Sequence, residues 1–486
     1  MGMSQVRGIA VTRRLVAALF LTGSLAACSF APKYVTPDLP VPAHFPSGQE
    51  LPASVAVIGW EDFFREPQLR SLIGQALANN RDVRIAAARI EEARAAYRIQ
   101  GSALYPQLNA VGRGTRARTP ADLSMTGQAQ SSDQIYAQLS AGWEIDFWGR
   151  LANLKAAARA QYLASEEGWR GVVTSLIAQV ANGYWREREL TERLALARST
   201  TDGRVESVRI IRRRYDVGAG SKLELVQAET LLAQARTAAQ ALEQERETNR
   251  NALALLVGAP VEIGPGSLQQ AEAQDDRPLA AGLPSELLAQ RPDIIAAEQR
   301  LRAANANIGV ARAAFFPNIS LTGAFGTASA ELDGLFATGS QAWSFTPVIT
   351  LPLFQGGRNI ANLDLAKARR NIAVADYERT VQGAFRDVAD ALVQRRQLAE
   401  QIASMRDMVA ALTERARLAR LRFDNGRSAY LEVLDAERDL FQSQQSLVQL
   451  RRAYLASGAA LYAALGGGIA AKQQYAPQTA VAEERK

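Results

Sequence analysis

The side chains that most often carry chemistry are scarce in this chain of 486 residues, which has one cysteine, Cys28, and one histidine, His44. A His/Cys metal site needs several such ligands, so the chain cannot build one by itself. A Ser–His–Asp triad would have to use His44, which lies in a proline-rich segment. The glycine run 466–468 lacks the lysine and hydroxyl residue of a phosphate-binding loop. We therefore expect no enzymatic activity and no cofactor apart from a covalent group on Cys28.

The first 27 residues have the pattern of an export signal. Three arginines are followed by an apolar stretch, residues 15–25, and by the sequence Leu-Ala-Ala-Cys that ends at Cys28. This ending resembles the lipobox of bacterial lipoproteins, which implies a lipid on Cys28 as the first residue of the mature chain. Ser29 in the next position implies sorting to the outer membrane. The alternative is an ordinary signal peptide in which Cys28 has no role.

The charge of the mature chain is modest. Removing the signal, with its three arginines and no acidic residue, lowers the formal net charge from +7 to +4. The remaining charges are spread along predicted helices, so nucleic-acid binding is not favoured. No run of 18 apolar residues follows the signal, so no membrane-spanning helix is predicted.

Two segments of the chain repeat one another at a spacing of about 208 residues. Residues 213–232 (RRYDVGAGSKLELVQAETLL) and 421–440 (LRFDNGRSAYLEVLDAERDL) share eight identical positions. A second pair of similar segments, 82–112 and 293–323, lies upstream at a spacing of about 211. A long-period repeat predicts a fold of two similar units. Each unit is predicted to run helix, strand pair, very long helix, tight turn, helix.

Long helices dominate both units. Residues 150–216 and 358–424 contain no proline, and each run favours one helix of 67 residues. Apolar residues between 402 and 416 alternate spacings of three and four, as in a coiled-coil seam. Such helices need neighbours along their length, which predicts a ring of helices, with an isolated coiled-coil rod as the alternative.

Four shorter segments are predicted to be β-strands, two in each unit. Residues 135–147 alternate strictly between apolar and mostly polar side chains, the pattern of a strand with one apolar face. Residues 341–354 repeat this alternation, and shorter candidate strands precede them at 107–118 and 318–327. An apolar outer face on strands of about ten residues is typical of a membrane barrel, and a soluble sheet is the alternative. The predicted lipid-facing residues are Leu139, Trp143, Ile145, Ile349 and Leu351.

Four strands per chain are too few to close a barrel, and open sheet edges are not tolerated in lipid. Several chains must then share one barrel, and three chains would supply twelve strands. The predicted domain order is a signal peptide 1–27, a tether 28–60, a first repeat 61–258 with its tip at 217–221, a linker 259–283, a second repeat 284–468 with its tip at 425–428, and a tail 469–486.

The lipobox, the duplicated unit and the two tips resemble the outer membrane factor family of tripartite efflux pumps, the TolC-like proteins, and in particular their lipid-anchored OprM or NodT-type branch. The resemblance covers about residues 28–468. It implies an α+β membrane protein in which a homotrimer shares a twelve-stranded outer-membrane β-barrel, continued by a long periplasmic α-helical barrel with an equatorial domain.

The same resemblance implies a function and partners. The chain would be the exit duct through which drugs or other small molecules leave the periplasm. Its partners would be outer-membrane lipid, a periplasmic adaptor (membrane fusion) protein and an inner-membrane resistance-nodulation-division transporter. Two alternatives remain open: the outer duct of a type I protein-secretion system, and a lipid-anchored periplasmic coiled-coil scaffold without a pore.

The second tip is the predicted periplasmic gate. Leu431 and Asp435 are four residues apart and share a helix face. The resemblance implies that they form the narrowest rings of the closed tunnel, with Arg422 and Arg438 as candidates for the bonds that hold it shut. Alternatively, Leu431 packs between helices and Asp435 only pairs with Arg438. The predicted adaptor-docking residues, which plain turn chemistry would also explain, are Gly218, Ala219, Gly220, Gly426 and Ser428.

Overall fold

A computed structural model describes residues 29–38, 41–42, 58–275 and 290–467. Cys28, the predicted lipid attachment residue, lies outside the described residues, as do His44 and the tail 469–486. The described elements are, in order, α1 Trp60–Phe63, α2 Pro67–Asn79, α3 Arg81–Ser102, β1 Gln107–Thr119, β2 Gln130–Ile145, α4 Arg150–Asp216, α5 Lys222–Val257, α6 Leu268–Gln274, α7 Pro292–Ala313, β3 Asn318–Ser329, β4 Gln341–Thr350, α8 Arg358–Asp424 and α9 Tyr430–Ala464.

The chain divides into two compact units, each assembled from three separate stretches. Of the described residues, the sheet unit contains 29–38, 89–165 and 297–377, and the helical unit contains 41–42, 58–88, 166–275, 290–296 and 378–467. Each half of the sequence repeat contributes to both units. The duplicated order of elements therefore corresponds to pairing of equivalent segments within each unit.

The sheet unit contains one antiparallel sheet with strand order β1-β2-β3-β4. Leu139 lies opposite Ala110 on β1 and opposite Phe325 on β3. Residues directly opposite one another share a face of the sheet, so the apolar positions of all four strands gather on one side. These positions include Leu108, Ala110, Ile135, Leu139, Trp143, Ile145, Ile319, Leu321, Phe325, Trp343, Phe345 and Ile349.

The apolar face is exposed and ends in charges at the loop side. Leu139 is 51% exposed and Ile349 is 69% exposed. Farther toward the loop between β1 and β2, the same face carries Arg116 opposite Asp133, with their side chains 3.4 Å apart. A band of apolar side chains is thus followed by a cross-strand ion pair.

The predicted ends of the longer strands were wrong at the helix side. β2 ends at Ile145 because the Asp146 carboxylate turns to accept the N–H groups of Leu151 and Ala152 at the start of α4. β4 ends at Thr350, so Leu351 lies just beyond it, still 50% exposed. Pro352 follows, and proline has no N–H with which to continue a ladder.

The helices of the sheet unit approach one another closely through alanine. Ala157 and Ala160 of α4 pack against Ala303 and Ala306 of α7 in a buried cluster. Small side chains at all four positions allow the two helix backbones to lie near each other.

The helical unit has a larger core, built from α1, α2, the middle of α4, α8 and the end of α9. Leu69, Ile177 and Leu461 are fully buried there. The rings of Phe63 and Tyr462 pack with their centroids 4.7 Å apart. This core joins the middle of α4 to α8 and to the end of α9.

Three consecutive charged residues in the middle of α4 are also buried in the helical unit, and each faces a different neighbour. Glu187 accepts hydrogen bonds from Arg246 Nε and Arg250 Nε on α5, each at 2.8 Å. Arg188 Nη1 donates to the carbonyl oxygen of Gly264, in the segment between α5 and α6, at 2.5 Å.

Glu189, the third of these residues, has a side chain that is 0% exposed. Its carboxylate lies 2.9 Å from Arg186 Nη1, 2.9 Å from Arg193 Nη1 and 3.1 Å from Arg452 Nε. Arg452 lies on α9, so Glu189 joins α4 to α9 as Glu187 joins α4 to α5.

Within the described residues, no helix combines the length and the apolarity needed to cross a membrane. That same part of the chain holds no cluster of His, Cys, Asp and Glu that could bind a metal ion.

Candidate functional site

The two helix hairpins of the helical unit end in turns of the same geometry. Gly218 and Gly426 have φ angles of +77° and +68°, which glycine adopts without steric cost. The N–H groups one residue later, at Ala219 and Arg427, each donate at 2.8 Å to a carbonyl five residues earlier. The repeated sequence at the two tips therefore produces the same backbone hydrogen bond in both turns.

The equivalent glutamates of the two tips have different partners. In the first hairpin, Glu224 and Ser221 form a reciprocal capping box at the start of α5. In the second hairpin, the cap position is Ala429, which offers no side-chain oxygen. Glu432 instead lies 3.0 Å from Arg422 Nη1, across the turn. Arg422, predicted to hold the gate shut, thus bonds within its own hairpin.

The predicted gate residues themselves are half-exposed. Leu431 is 48% exposed, so it does not pack between helices of its own chain. Asp435 lies 3.3 Å from Arg438 Nη1, which is the contact of the alternative interpretation. Arg438 also lies 3.2 Å from Asp439. The pKa of Asp439 is held below its ordinary value by hydrogen bonds from Arg415 and Arg438.

A buried contact between the hairpins was missed by the sequence analysis. Tyr430, the first residue of α9, is 3% exposed, and its hydroxyl donates a hydrogen bond to Ser207 Oγ on α4. Ser207 Oγ in turn donates to the carbonyl oxygen of Gly203 at 2.8 Å. Burial raises the pKa of the Tyr430 phenol, so this hydroxyl is a neutral donor.

A second contact joins the same two helices, one turn away on α4 and about two turns away on α9. Arg204 of α4 is 4% exposed, and its Nη1 lies 3.1 Å from Glu437 Oε2 on α9. The side chains of Arg204, Ser207, Tyr430 and Glu437 together form what we call the tip lock. Around the lock, apolar side chains from both hairpins form a buried cluster that includes Ile211, Leu225, Ala228, Ala419, Val433, Leu434 and Ala436.

No local signal in the sequence marks the tip lock. Glu437 is equivalent to Glu229 of the first repeat, and Glu229 pairs with Arg212 inside its own hairpin. The repeat alone would therefore predict Arg420 of α8 as the partner of Glu437. Arg420 Nη1 does lie 3.9 Å from Glu437, but Arg204 Nη1 of α4 is nearer, at 3.1 Å, and the repeat does not predict it.

The predicted docking residues lie at the ends of the hairpins. Gly218, Ala219 and Gly426 are exposed, whereas Gly220 and Ser428 are half-buried. Val217, beside them, is 72% exposed. The tips thus present small side chains and the apolar Val217 to solvent, together with the exposed Asn425 and Arg427.

The profile of the outer membrane efflux protein family matches residues 72–259 and 283–467. The toluene efflux pump outer membrane protein TtgF of Pseudomonas putida is 44% identical over 462 residues, covering 92% of this chain and 95% of that protein. The cation efflux system protein CusC of Escherichia coli is 40% identical, covering 93% of this chain and 97% of that protein.

A solved structure extends this likeness to the fold. The open state of the MtrE outer membrane channel of Neisseria gonorrhoeae superposes with a TM-score of 0.81 at 37% identity, over 91% of this chain and 98% of that one. The predicted family and fold class are confirmed. The chain belongs to the outer membrane efflux protein family, and it is an efflux-pump channel of the outer membrane with a large periplasmic part.

Proposed function

We propose that this chain is the trimeric exit duct of a tripartite efflux pump, lipid-anchored through Cys28 and closed at its periplasmic tips when no partner is bound. The observation that carries the proposal is that one chain has both an exposed apolar sheet face and the buried tip lock between its helix hairpins. One feature suits a wall in lipid, and the other suits a gate.

The sheet supports assembly of several chains. Among the described strands, β1 and β4 each pair with one neighbour, so in this part of the chain each has an edge of unpaired N–H and C=O groups. Lipid offers no hydrogen bonds to such edges, so the edges of different chains must pair with one another. Trp343 and Phe345 on β4 are 76% and 63% exposed, which suits a face turned to acyl chains. Three chains would supply the twelve strands of one closed barrel.

The relatives support a pump partner and a duct that does not choose its cargo. TtgF serves a toluene pump and CusC a cation pump, yet both resemble this chain to a similar degree. Selection and energy would then come from an inner-membrane resistance-nodulation-division transporter and a periplasmic adaptor. The exposed tips around Gly218 and Gly426 are the proposed adaptor-docking surface.

The gate proposal uses the exposure of Leu431 and Asp435. Each side chain is only about half covered by its own chain, and three-fold symmetry would bring three copies of each toward one axis. Three carboxylates around an axis attract cations and, with an apolar ring beside them, narrow the opening.

Replacing Asp435 by alanine is expected to increase the conductance of the purified channel in a planar bilayer, because a ring of three carboxylates is removed from the constriction. The matched control is Gln227→Ala, the equivalent position of the first hairpin, which should leave the conductance unchanged. Equal conductance of Asp435→Ala and wild type would exclude Asp435 from the constriction. An absence of current from both folded proteins would instead favour a scaffold without a pore.

Replacing Tyr430 by phenylalanine is expected to make the channel open more often without changing its single-channel conductance. The ring and its packing on Phe423 remain, and only the hydrogen bond to Ser207 is lost. A hydrogen bond contributes about 1 kcal/mol, so the opening equilibrium should shift by about fivefold. Tyr215→Phe, at an exposed tyrosine of the first tip, is the control. An unchanged open fraction would show that the tip lock does not oppose opening.

A further inference from the structure

The described chain begins with a short segment without helix or strand that lies against the helices of the sheet unit. Ser29 Oγ donates at 3.0 Å to Oδ1 of Asn153, a residue in the first turn of α4. Arg312 Nη1, near the end of α7, donates to the carbonyl oxygen of Phe30 at 3.1 Å. The first two described residues are thus each held by a hydrogen bond to a different helix.

The later residues of the segment contact α7 at positions that lie progressively closer to the amino-terminal end of the helix. Asn305 Nδ2 donates to the carbonyl oxygen of Pro32 at 2.7 Å. The Tyr34 hydroxyl donates to Glu298 Oε1 at 3.2 Å, and the Arg302 guanidinium lies 4.8 Å from the centre of the Tyr34 ring. Spacings of three and four place all the helix residues involved on one face of α7. These residues are Glu298, Arg302, Asn305, Gly309 and Arg312.

Gly309 makes room for the segment in the middle of that face. A Cβ at this position would lie 2.6 Å from Asn153 Nδ2 and 2.8 Å from the backbone nitrogen of Ala31. Glycine inside a helix is less stable than alanine by about 1 kcal/mol. The glycine therefore carries a cost to the helix that is offset only while the segment lies beside it.

An aromatic cluster contacts the segment near its first described residues, at Phe30. The Phe30 ring stacks on Phe316 with centroids 4.5 Å apart, and Phe316 stacks on Trp148 at 4.8 Å. Trp148 Nε1 donates to the carbonyl oxygen of Pro317 at 2.8 Å, directly before β3. Because Trp148 follows β2 and Phe316 precedes β3, the cluster marks the helix-side rim of the apolar sheet face.

We propose that residues 29–34 and the face of α7 that carries Glu298, Asn305 and Arg312 form a docking latch that holds the lipid-bearing amino terminus at this rim, a proposal that rests on lipidation of Cys28 in the proposed function. Cys28 is the residue before Ser29, so a docked latch places its acyl chains beside the aromatic cluster, at the border of the apolar face. The surface that fits this rim is the lipid of the outer membrane, where aromatic rings favour the boundary between acyl chains and head groups.

The latch determines how far the anchor can move. Without docking, no contact with the helices of the sheet unit would hold Ser29, the residue that follows Cys28. With docking, the anchor is confined to the position of Ser29. The latch thus holds the lipid anchor against the sheet unit, at one depth of the membrane.

Trypsin cleavage of the full-length lipidated protein tests the latch. Lys33 is the only lysine or arginine between Cys28 and Arg65, so cleavage after it releases the peptide of residues 28–33. Proteases cut chain that has left the folded surface. We compare wild type with Gly309→Ala, whose added Cβ displaces the segment, and follow the released peptide by mass spectrometry.

We expect Gly309→Ala to be cleaved about thirtyfold faster, since displacing the segment breaks at least two hydrogen bonds of about 1 kcal/mol each. Gly383→Ala is the matched control, because a Cβ at that helical glycine meets no atom within 4 Å. Asn305→Ala, which removes the bond to Pro32, should accelerate cleavage without adding volume and serves if Gly309→Ala folds poorly. Equal cleavage rates in all four proteins would overturn the latch.

The same experiment separates failure of the latch from failure of the proposed function. The mass of the released peptide shows whether Cys28 carries acyl chains. An unmodified peptide with wild-type protection would remove the lipid from the proposal and leave the docked segment without its proposed role. A lipidated peptide released equally fast from every variant would keep the lipid anchor and overturn the latch.

Discussion

Glu189→Ala is expected to destabilise the protein by about 3–5 kcal/mol, because it removes a fully buried carboxylate that three partly buried arginines share. The Glu189 side chain is 0% exposed and lies within 3.1 Å of nitrogen atoms from three arginines. Of these, Arg193 retains only 17% of its exposure, so it cannot regain full hydration after the change. The midpoint of denaturant unfolding, followed by helical circular dichroism, measures the effect.

The consequence should reach beyond α4. Arg452 belongs to α9, and Arg193 Nε also donates to Gln445 on α9 at 2.6 Å. Loss of the carboxylate therefore loosens the junction that fixes α9 beside α4 in the helical unit. We expect a faster rate of hydrogen exchange in α9 around Gln445 in the variant.

Glu414→Ala is the control for this change. Glu414 pairs with Arg417 on one exposed helix face, with side chains that are 55% and 61% exposed. Solvent screens such a pair, so its removal should leave the unfolding midpoint unchanged. If Glu189→Ala and Glu414→Ala behaved alike, the buried cluster would have no special part in stability.

Leu139→Arg is expected to cost about 2–4 kcal/mol of stability in the outer membrane, the range for a cation placed near the lipid midplane on a sheet. Leu139 lies on the apolar face between Ala110 and Phe325 and is 51% exposed, so an arginine there would point at acyl chains. The amount of folded, outer-membrane-inserted assembly measures the effect.

Gln138→Arg is the matched control, because Gln138 is the next residue along β2 and faces the polar side between Val111 and Gly326. The same charge is thus placed on opposite faces of one strand. Normal insertion of Leu139→Arg, with a full yield of assembly, would refute the lipid-facing assignment and favour the scaffold without a pore. Failure of both variants would point to crowding in β2 and not to lipid.

The apolar sheet face and the tip turns were predictable because they depend on neighbouring residues. Alternation with a period of two places Leu139, Trp143 and Ile145 on one face in any extended strand. Glycine at 218 and 426 permits the positive φ angles of the turns, whatever lies around them. The proline-free runs likewise determine where α4 and α8 can continue for 67 residues.

The ends of the strands were less predictable, since a competing interaction decides them. The alternating pattern continues through Phe147, yet the strand ends at Ile145 because the Asp146 carboxylate stabilises the start of α4. Leu351 continues the apolar pattern of β4 but precedes Pro352 and lies outside the ladder. The side-chain pattern describes a face, and hydrogen-bond competition determines where the element stops.

The sequence by itself determined the family, the duplicated unit, the apolar face and the position of the two tips, because each of these follows from local spacing or from similarity along the chain. Only the tertiary structure decided the tip lock, the buried charges of α4 and the packing of residues 29–34 along α7. Tyr430 and Ser207 are 223 residues apart, and Tyr34 and Glu298 are 264 apart. Contacts at such separations depend on which helix faces the packed core brings together, and no local period encodes that choice.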